Sequence, residues 1–143
     1  MNDEVVLDDD RINRIGIDEG ILCDGKSIEQ IETIITTAQR VDRRLFLTRL
    51  TPHHFSQLAD KIQTLLDYDA VSRTAIYGQI RTPFGDPKVA IVSAGTSDVP
   101  IAREATRTLS YHDVSSTEIH DVGVAGLWRL QRRVSELSDY PII

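Results

Sequence analysis

The sequence has 143 residues, 41% of them apolar and 27% charged, which is typical of globular proteins rather than disordered or collagen-like chains. The net charge of −6 disfavours nucleic acid as a partner, because a surface of that sign repels phosphate backbones. No apolar run reaches the ~18 residues of a membrane helix, and the acidic start does not resemble a signal peptide. The single cysteine, Cys23, cannot form an internal disulfide, so we expect a cytoplasmic protein without membrane association.

The first half of the chain predicts a small α+β domain. Residues 1–20 are acidic with few apolar positions, and we expect an extended or lightly helical arm that builds no core. Ser27 and Gln30 form a capping-box pattern at the start of a helix over residues 28–40, and a buried strand follows at residues 44–49. Thr51 and Pro52 open a second helix. Its predicted apolar face comprises Phe55, Leu58, Ala59, Ile62, Leu65 and Leu66.

A strand over residues 70–80 is expected next, and the turn-rich residues 82–87 mark a domain boundary, which divides the chain into residues 1–85 and 86–143. Residues 88–95 are a continuous apolar run ending in Gly95, typical of a strand buried on both faces of a parallel sheet.

The second half then alternates helices and strands. A helix opens at residues 96–100, with an apolar face of Val99, Ala102, Ala105 and Leu109. A strand ends at residues 119–123, and a helix follows over residues 124–137, with Leu127, Leu130, Val134 and Leu137 expected to face inward. A third apolar strand begins at residues 140–143. This alternation predicts an α/β fold with parallel strands, and the unpaired strand at the end suggests part of a longer protein.

The loop after the first parallel strand is the strongest candidate site. Gly95, Thr96, Ser97 and Asp98 lie where a buried strand turns directly into a helix, and backbone N–H groups there favour an anion. Gly95 allows close backbone approach, and Ser97 or Asp98 either caps the helix or bonds a ribose hydroxyl.

A second loop is expected at the same sheet edge. Asp121 and Gly123 follow the next parallel strand, and open α/β sheets bind ligands at the carboxyl ends of their strands. Asp121 could orient a ligand hydroxyl and Arg129 could reach a phosphate; the alternative for Arg129 is a solvated helix residue.

Other chemistries lack the required spacing. The four histidines form no HxH, HExxH or Cys/His cluster, so a zinc site has little support. The chain has neither a GxxxxGK[ST] loop nor a GxGxxG motif, which argues against a P-loop or an ordinary dinucleotide-dehydrogenase site.

Two long segments resemble the LarB family, the pyridinium-3,5-biscarboxylic acid mononucleotide synthases of nickel-pincer cofactor biosynthesis. They run from Val89 to Ala105 (VAIVSAGTSDVPIAREA) and from Asp121 to Leu127 (DVGVAGL). Short matches precede them, namely Arg11, Arg14 and Gly16, then Gly25-Lys26 and Gln30, and then Thr48-Arg49. The resemblance runs over nearly the whole chain, which spans somewhat more than half of the family's length.

The resemblance implies a LarB-type N-terminal domain followed by an incomplete PurE-like, Rossmann-like three-layer domain. The implied reaction carboxylates the pyridinium ring of nicotinic acid adenine dinucleotide with bicarbonate or CO2 and releases AMP. The family's thiolate belongs to a later part of that domain, so no catalytic residue is assigned within this chain. Relatives are octamers, which implies a homo-oligomer. The resemblance assigns no cofactor to this chain. The only ion that it suggests is Mg²⁺ bound together with the nucleotide substrate.

Trp128 is the main departure, because the family pattern has histidine there and an indole can only donate a hydrogen bond. Two alternatives therefore stay beside the LarB reaction. One is an aminoimidazole ribonucleotide carboxylase or mutase of the PurE type. The other is a non-catalytic regulatory relative, such as a circadian phase modifier.

Overall fold

A computed structural model describes residues 7, 8, 10–79 and 85–143 and divides the chain into two compact units, residues 1–79 and 80–143. Residues 80–84, which contain the end of the strand predicted over 70–80 and part of the predicted boundary, lie outside the described residues. That boundary stays a prediction.

The first unit is a mixed sheet covered by helices. Its elements are α1 (Arg11–Ile15), β1 (Gly20–Leu22), α2 (Ile28–Arg40), β2 (Leu45–Thr48), α3 (Pro52–Gln57), α4 (Asp60–Gln63), β3 (Leu66–Asp69) and β4 (Thr74–Tyr77). The strand order is β1-β2-β4-β3. Strands β1 and β2 are parallel, and both β2 and β3 pair antiparallel with β4.

Helix α2 confirms the capping-box prediction. The Gln30 amide donates to Ser27 Oγ over 3.2 Å, and the Ser27 amide donates to Gln30 Oε1 over 3.0 Å. Its apolar face, Ile31, Ile34, Ile35 and Ala38, is buried against the sheet, so side-chain periodicity and the cap specify this helix together.

The second helix was predicted too long. At Leu58 the backbone leaves the helical region (φ −65°, ψ 148°) and separates α3 from α4. Leu66 belongs to β3 rather than to that helix, and residues 66–77 form a hairpin instead of one strand. The turn is stabilised by Asp69, whose Oδ1 accepts from both the amide and the hydroxyl of Ser72 over 2.7 Å.

The expectation that the amino-terminal arm builds no core is also wrong. Leu7 of this arm packs against the central hydrophobic cluster, and Gly20, the last residue of the arm, begins β1, whose next residue Ile21 is buried in the same cluster. A parallel partner strand 26 residues away in sequence buries Ile21, and no local pattern reveals such a pairing.

Cys23 lies in this core with its side chain fully buried, and burial raises the pKa of its thiol from 9.0 to about 12. The native chain should therefore react with iodoacetamide at pH 8 at least about 100-fold more slowly than the same chain in concentrated urea. Because the folded state favours the neutral thiol, its contribution to stability is full below pH 9 and is lost as the pH rises toward 12. Equal labelling rates of native and unfolded chain would contradict this burial.

The second unit contains two parallel strands with a helix after each. These are β5 (Val89–Val92), α5 (Val99–Tyr111), β6 (Ser116–Ile119) and α6 (Leu127–Leu137), with short 3₁₀ turns at Thr96–Asp98 and Val124–Gly126. Ile142 also bridges Val89 in parallel orientation, where the third strand was expected. The chain thus has one parallel sheet and one mixed sheet together with helices, which confirms the predicted α/β class.

Burial in this unit is less complete than expected. In β5, Val89 and Ala90 are buried, but Val92 is 36% exposed, so the strand is not buried on both faces throughout. On α6, Leu130 and Leu137 pack on the core, whereas Leu127 and Val134 are exposed. The prediction that all four face inward is wrong, because the apolar arc of α6 is wider than the surface it covers.

No helix among residues 7, 8, 10–79 and 85–143 is long and apolar enough to cross a membrane.

Candidate functional site

The loop between β5 and α5 closes on itself through Asp98. The Gly95 amide donates to Asp98 Oδ2 over 2.9 Å, and the Asp98 amide donates back to the Gly95 carbonyl over 3.1 Å. The other oxygen, Oδ1, has no hydrogen-bond partner among the described residues. Asp98 therefore fixes the shape of the loop and keeps one carboxylate oxygen available.

Two backbone donors stand at the start of this turn. The amides of Thr96 and Ser97 donate to no described backbone or side-chain acceptor, and both residues are exposed. They precede α5, which is 13 residues long, so its dipole adds to their partial positive charge. This arrangement can bind a phosphate oxygen from the backbone alone.

The β6–α6 loop lies directly beside the first. The Val122 amide donates to the Ser93 carbonyl over 3.1 Å, and the Gly123 amide donates to the Ala94 carbonyl over 3.0 Å. A Cβ at Gly123 would lie 2.9 Å from that carbonyl oxygen, so only glycine fits without a shift. The structure thus brings the two predicted loops together at one sheet edge.

Asp121 and Arg129 are paired with each other. Arg129 Nη1 lies 2.5 Å from Asp121 Oδ1, and both side chains are partly exposed. Arg129 Nε is buried without a hydrogen-bond partner in the described part of the chain. Because that Nε is inaccessible, a ligand phosphate could instead reach Nη2, which has no hydrogen-bond partner among the described residues, while the salt bridge to Asp121 persists.

Two guanidinium groups lie within cation–π distance of the Trp128 ring. The Cζ atom of Arg132 is 4.7 Å from the ring centroid, and that of Arg129 is 5.5 Å away. The ring is 55% exposed. Cation–π contacts hold the indole on the surface beside Arg129, so this position offers an aromatic face rather than an imidazole proton donor.

A polar array at the same sheet edge was not predicted from the sequence. Ser93 Oγ lies 2.8 Å from His120 Nδ1, and His120 Nε2 lies 2.9 Å from Glu118 Oε2. Glu118 Oε1 accepts from Arg103 Nε over 2.7 Å. Because an ionised Glu118 only accepts, Nε2 carries the proton, and in the neutral imidazole Nδ1 accepts from the Ser93 hydroxyl.

The array connects α5 to both strands. Ile91 pairs with Glu118, and the same register places Ser93 opposite His120, one position beyond the last paired residues. The spacing of Glu118 and His120, two residues apart on a strand, puts them on one face and was a usable signal. Their partner on β5 depends on strand register and could not be inferred from that spacing.

No group of three or more histidine, cysteine, aspartate or glutamate side chains gathers for a metal ion in the described ranges. Each of the two loops offers a single carboxylate, Asp98 or Asp121, and Glu118 is already engaged by Arg103 and His120. Magnesium would have to be held largely by the phosphates of a nucleotide, which is a common way in which proteins bind it.

Residues 3–79 match the family model described as LarB/PurE-like N-terminal domain, and this match covers more than half of the chain. The chain belongs to this family. The LarB/PurE-like match lies in the first unit and confirms the family suggested by the sequence.

An uncharacterized protein of Methanocaldococcus jannaschii is similar to the LarB/PurE-like chain over both units. The two are 31% identical over 137 residues, which cover 91% of this chain and 53% of the archaeal protein. The chain thus spans about half the length of this curated relative.

Proposed function

We propose that the chain contributes the nucleotide-binding part of a LarB-type enzyme that acts on nicotinic acid adenine dinucleotide. In this proposal the amides of Thr96 and Ser97 bind a phosphate, and Asp98 Oδ1 accepts from a ribose hydroxyl. The juxtaposition of two glycine-containing loops, joined by the Gly123–Ala94 hydrogen bond, carries the proposal.

Of the remaining site residues, some would contact or orient the ligand, and others would leave space for it. Arg129 would use its Nη2 toward the phosphate, with Asp121 holding the guanidinium in place. Gly95 and Gly123 would keep side chains away from the ligand, as the tight contact at Gly123 supports. Bicarbonate or CO2 as cosubstrate, and Mg²⁺ accompanying the phosphates, belong to the same proposal.

The covalent step of the proposed reaction is assigned to no residue of this chain. Cys23 is its only cysteine, and burial in the first unit raises the pKa of that thiol to about 12. A thiolate that attacks a pyridinium ring needs an exposed sulfur and a low pKa. The burial of Cys23 supports its exclusion from this role.

The LarB reaction is favoured over purine synthesis by the first unit, which matches the LarB/PurE-like N-terminal domain. A non-catalytic regulatory relative stays the second candidate. Trp128 favours it, because two arginines flank the indole where the family pattern places a titratable imidazole. Homo-oligomer formation is proposed for both candidates, and the exposed Leu127 and Val134 offer apolar surface for it.

Two substitutions of Asp98 separate loop closure from ligand binding. Asp98→Asn keeps an acceptor for the Gly95 amide but loses the charge, whereas Asp98→Ala loses both. We expect Asp98→Ala to lower the free energy of unfolding by ~1 kcal/mol and Asp98→Asn to change it little.

Both variants should bind nicotinic acid adenine dinucleotide at least about tenfold more weakly, since a charge-assisted hydrogen bond contributes ~1.5 to 3 kcal/mol. Calorimetric titration and urea unfolding of the same samples measure the two effects. If the alanine variant is less stable while both variants keep wild-type affinity, Asp98 only closes the loop and the ribose contact is withdrawn.

A further inference from the structure

The carboxyl edge of the first unit's sheet gathers three basic residues. Lys26 follows β1, Arg49 follows β2, and Arg73 lies in the β3–β4 turn. Backbone hydrogen bonds join these segments: the Cys23 amide donates to the Thr48 carbonyl over 2.9 Å, and the Leu50 amide donates to the Arg73 carbonyl over 2.8 Å. The three positions are therefore neighbours on one edge.

None of these three side chains is neutralised within the described part of the chain. The side chains of Lys26, Arg49 and Arg73 make no ion pair or hydrogen bond there, whereas Arg14 pairs with Asp8 and Arg43 pairs with Asp18. The chain as a whole carries 22 acidic and 16 basic residues. Three cations without an ion pair at one sheet edge therefore form a basic patch on a chain whose net charge is negative.

Arg49 and Arg73 lie just beyond the ends of the antiparallel strands β2 and β4. Leu47 pairs with Ala75 near these ends, β2 ends at Thr48 and β4 begins at Thr74. The Leu50 amide donates to the Arg73 carbonyl, so the two arginine positions lie at the same end of the strand pair. An anion bound beside both positions would be attracted by two positive charges.

Both arginines also adopt a backbone conformation that disfavours them. Their φ angles are 55° and 56°, in the left-handed region where a non-glycine residue costs ~1 kcal/mol or more. Glycine or asparagine would form the same turns with less strain. A purely structural role does not explain a guanidinium at both positions, whereas binding of an anionic group does.

We propose that Lys26, Arg49 and Arg73 form a second binding site, which takes the phosphate group of a small hydroxylated phosphate ester such as a sugar phosphate or a nucleotide. Arginine presents a planar fork suited to phosphate oxygens. Asp24 and Glu29 are exposed beside Lys26 and can accept from ligand hydroxyls, which favours a phosphate ester over a bare polyanion. This site lies in the first unit and does not depend on the proposed function of the second.

The test is a titration of the whole chain with ribose 5-phosphate and with inorganic phosphate, followed through backbone amide resonances. We expect saturable changes at residues 26, 49, 50 and 73, with ribose 5-phosphate binding more tightly than phosphate. Arg49→Asn and Arg73→Asn should each weaken binding at least about fivefold while leaving stability equal or higher, because asparagine tolerates the left-handed region.

Arg40→Gln is the matched control, since Arg40 is an exposed arginine in the last turn of α2, at the opposite edge of the sheet. It should leave binding within about twofold of wild type, as expected for a distant exposed charge. Three results would overturn the site: no saturable change at these residues, changes confined to residues 95–98, or equal weakening by Arg40→Gln. Since Asp98→Asn alters only the second unit, the two sites can fail independently.

Discussion

Replacing Gly123 by alanine is expected to push the two loops of the second unit apart. The added Cβ would lie 2.9 Å from the Ala94 carbonyl oxygen, a backbone atom that cannot rotate away. Overpacking of this kind costs ~1 to 3 kcal/mol. The Gly123–Ala94 hydrogen bond should lengthen, and the site formed by both loops should bind nicotinic acid adenine dinucleotide at least about tenfold more weakly.

Gly95→Ala is the matched control for stability. Gly95 is extended (φ −141°), and a Cβ there would have its nearest contacts at 4.0 Å, so the fold should tolerate alanine. Trp128 is the only tryptophan of the chain and lies in the second unit, so its fluorescence during urea unfolding reports that unit. Equal stability of the Gly123→Ala variant and wild type would show that the loops are not held together as described.

Gly95→Ala and Gly123→Ala also distinguish loss of space for the ligand from loss of stability. A Cβ at Gly95 leaves the loop intact but occupies space where a phosphate would approach the Thr96 and Ser97 amides. Gly95→Ala should therefore weaken nucleotide binding while leaving the urea transition unchanged, whereas Gly123→Ala should alter both.

Local patterns predicted those parts of the fold that local interactions determine. Helix α2 begins at a capping box and buries one apolar stripe, and both features lie within 14 residues of sequence. The hairpin at residues 66–77 was missed because Leu66 continues a helical spacing, while the Asp69–Ser72 turn that reverses the chain has no apolar signature. Strand β1 was missed because its parallel partner lies far away along the chain.

In the candidate site, too, local sequence patterns predicted some features and not the contacts that depend on the folded chain. The strand–loop–helix pattern around Gly95 and Gly123 predicted two neighbouring loops at one sheet edge. It did not predict that Asp98 would bond the Gly95 amide or that Arg129 would pair with Asp121. The Ser93–His120–Glu118 array also depends on pairing between strands 27 residues apart, so residue spacing alone could not assemble it.

The backbone amide of Thr96 is the central phosphate donor of the proposed site, and Thr96→Pro removes that donor. Proline is favoured at the first position of a helix, and the extended Gly95 before it is compatible with a following proline. We therefore expect the fold to persist. The lost hydrogen bond to a charged phosphate should weaken binding of nicotinic acid adenine dinucleotide ~10- to 100-fold.

Thr96→Ala keeps the amide and removes only the hydroxyl, so it should bind within about threefold of wild type, as expected when the hydrogen bond to the charged group is retained. The most direct measurement is a calorimetric titration of nicotinic acid adenine dinucleotide into wild type, Thr96→Pro and Thr96→Ala. We expect tight binding by wild type and Thr96→Ala and a large loss of affinity in Thr96→Pro. Equal affinity of the proline variant and wild type, or absence of binding by the wild-type chain, would contradict this expectation.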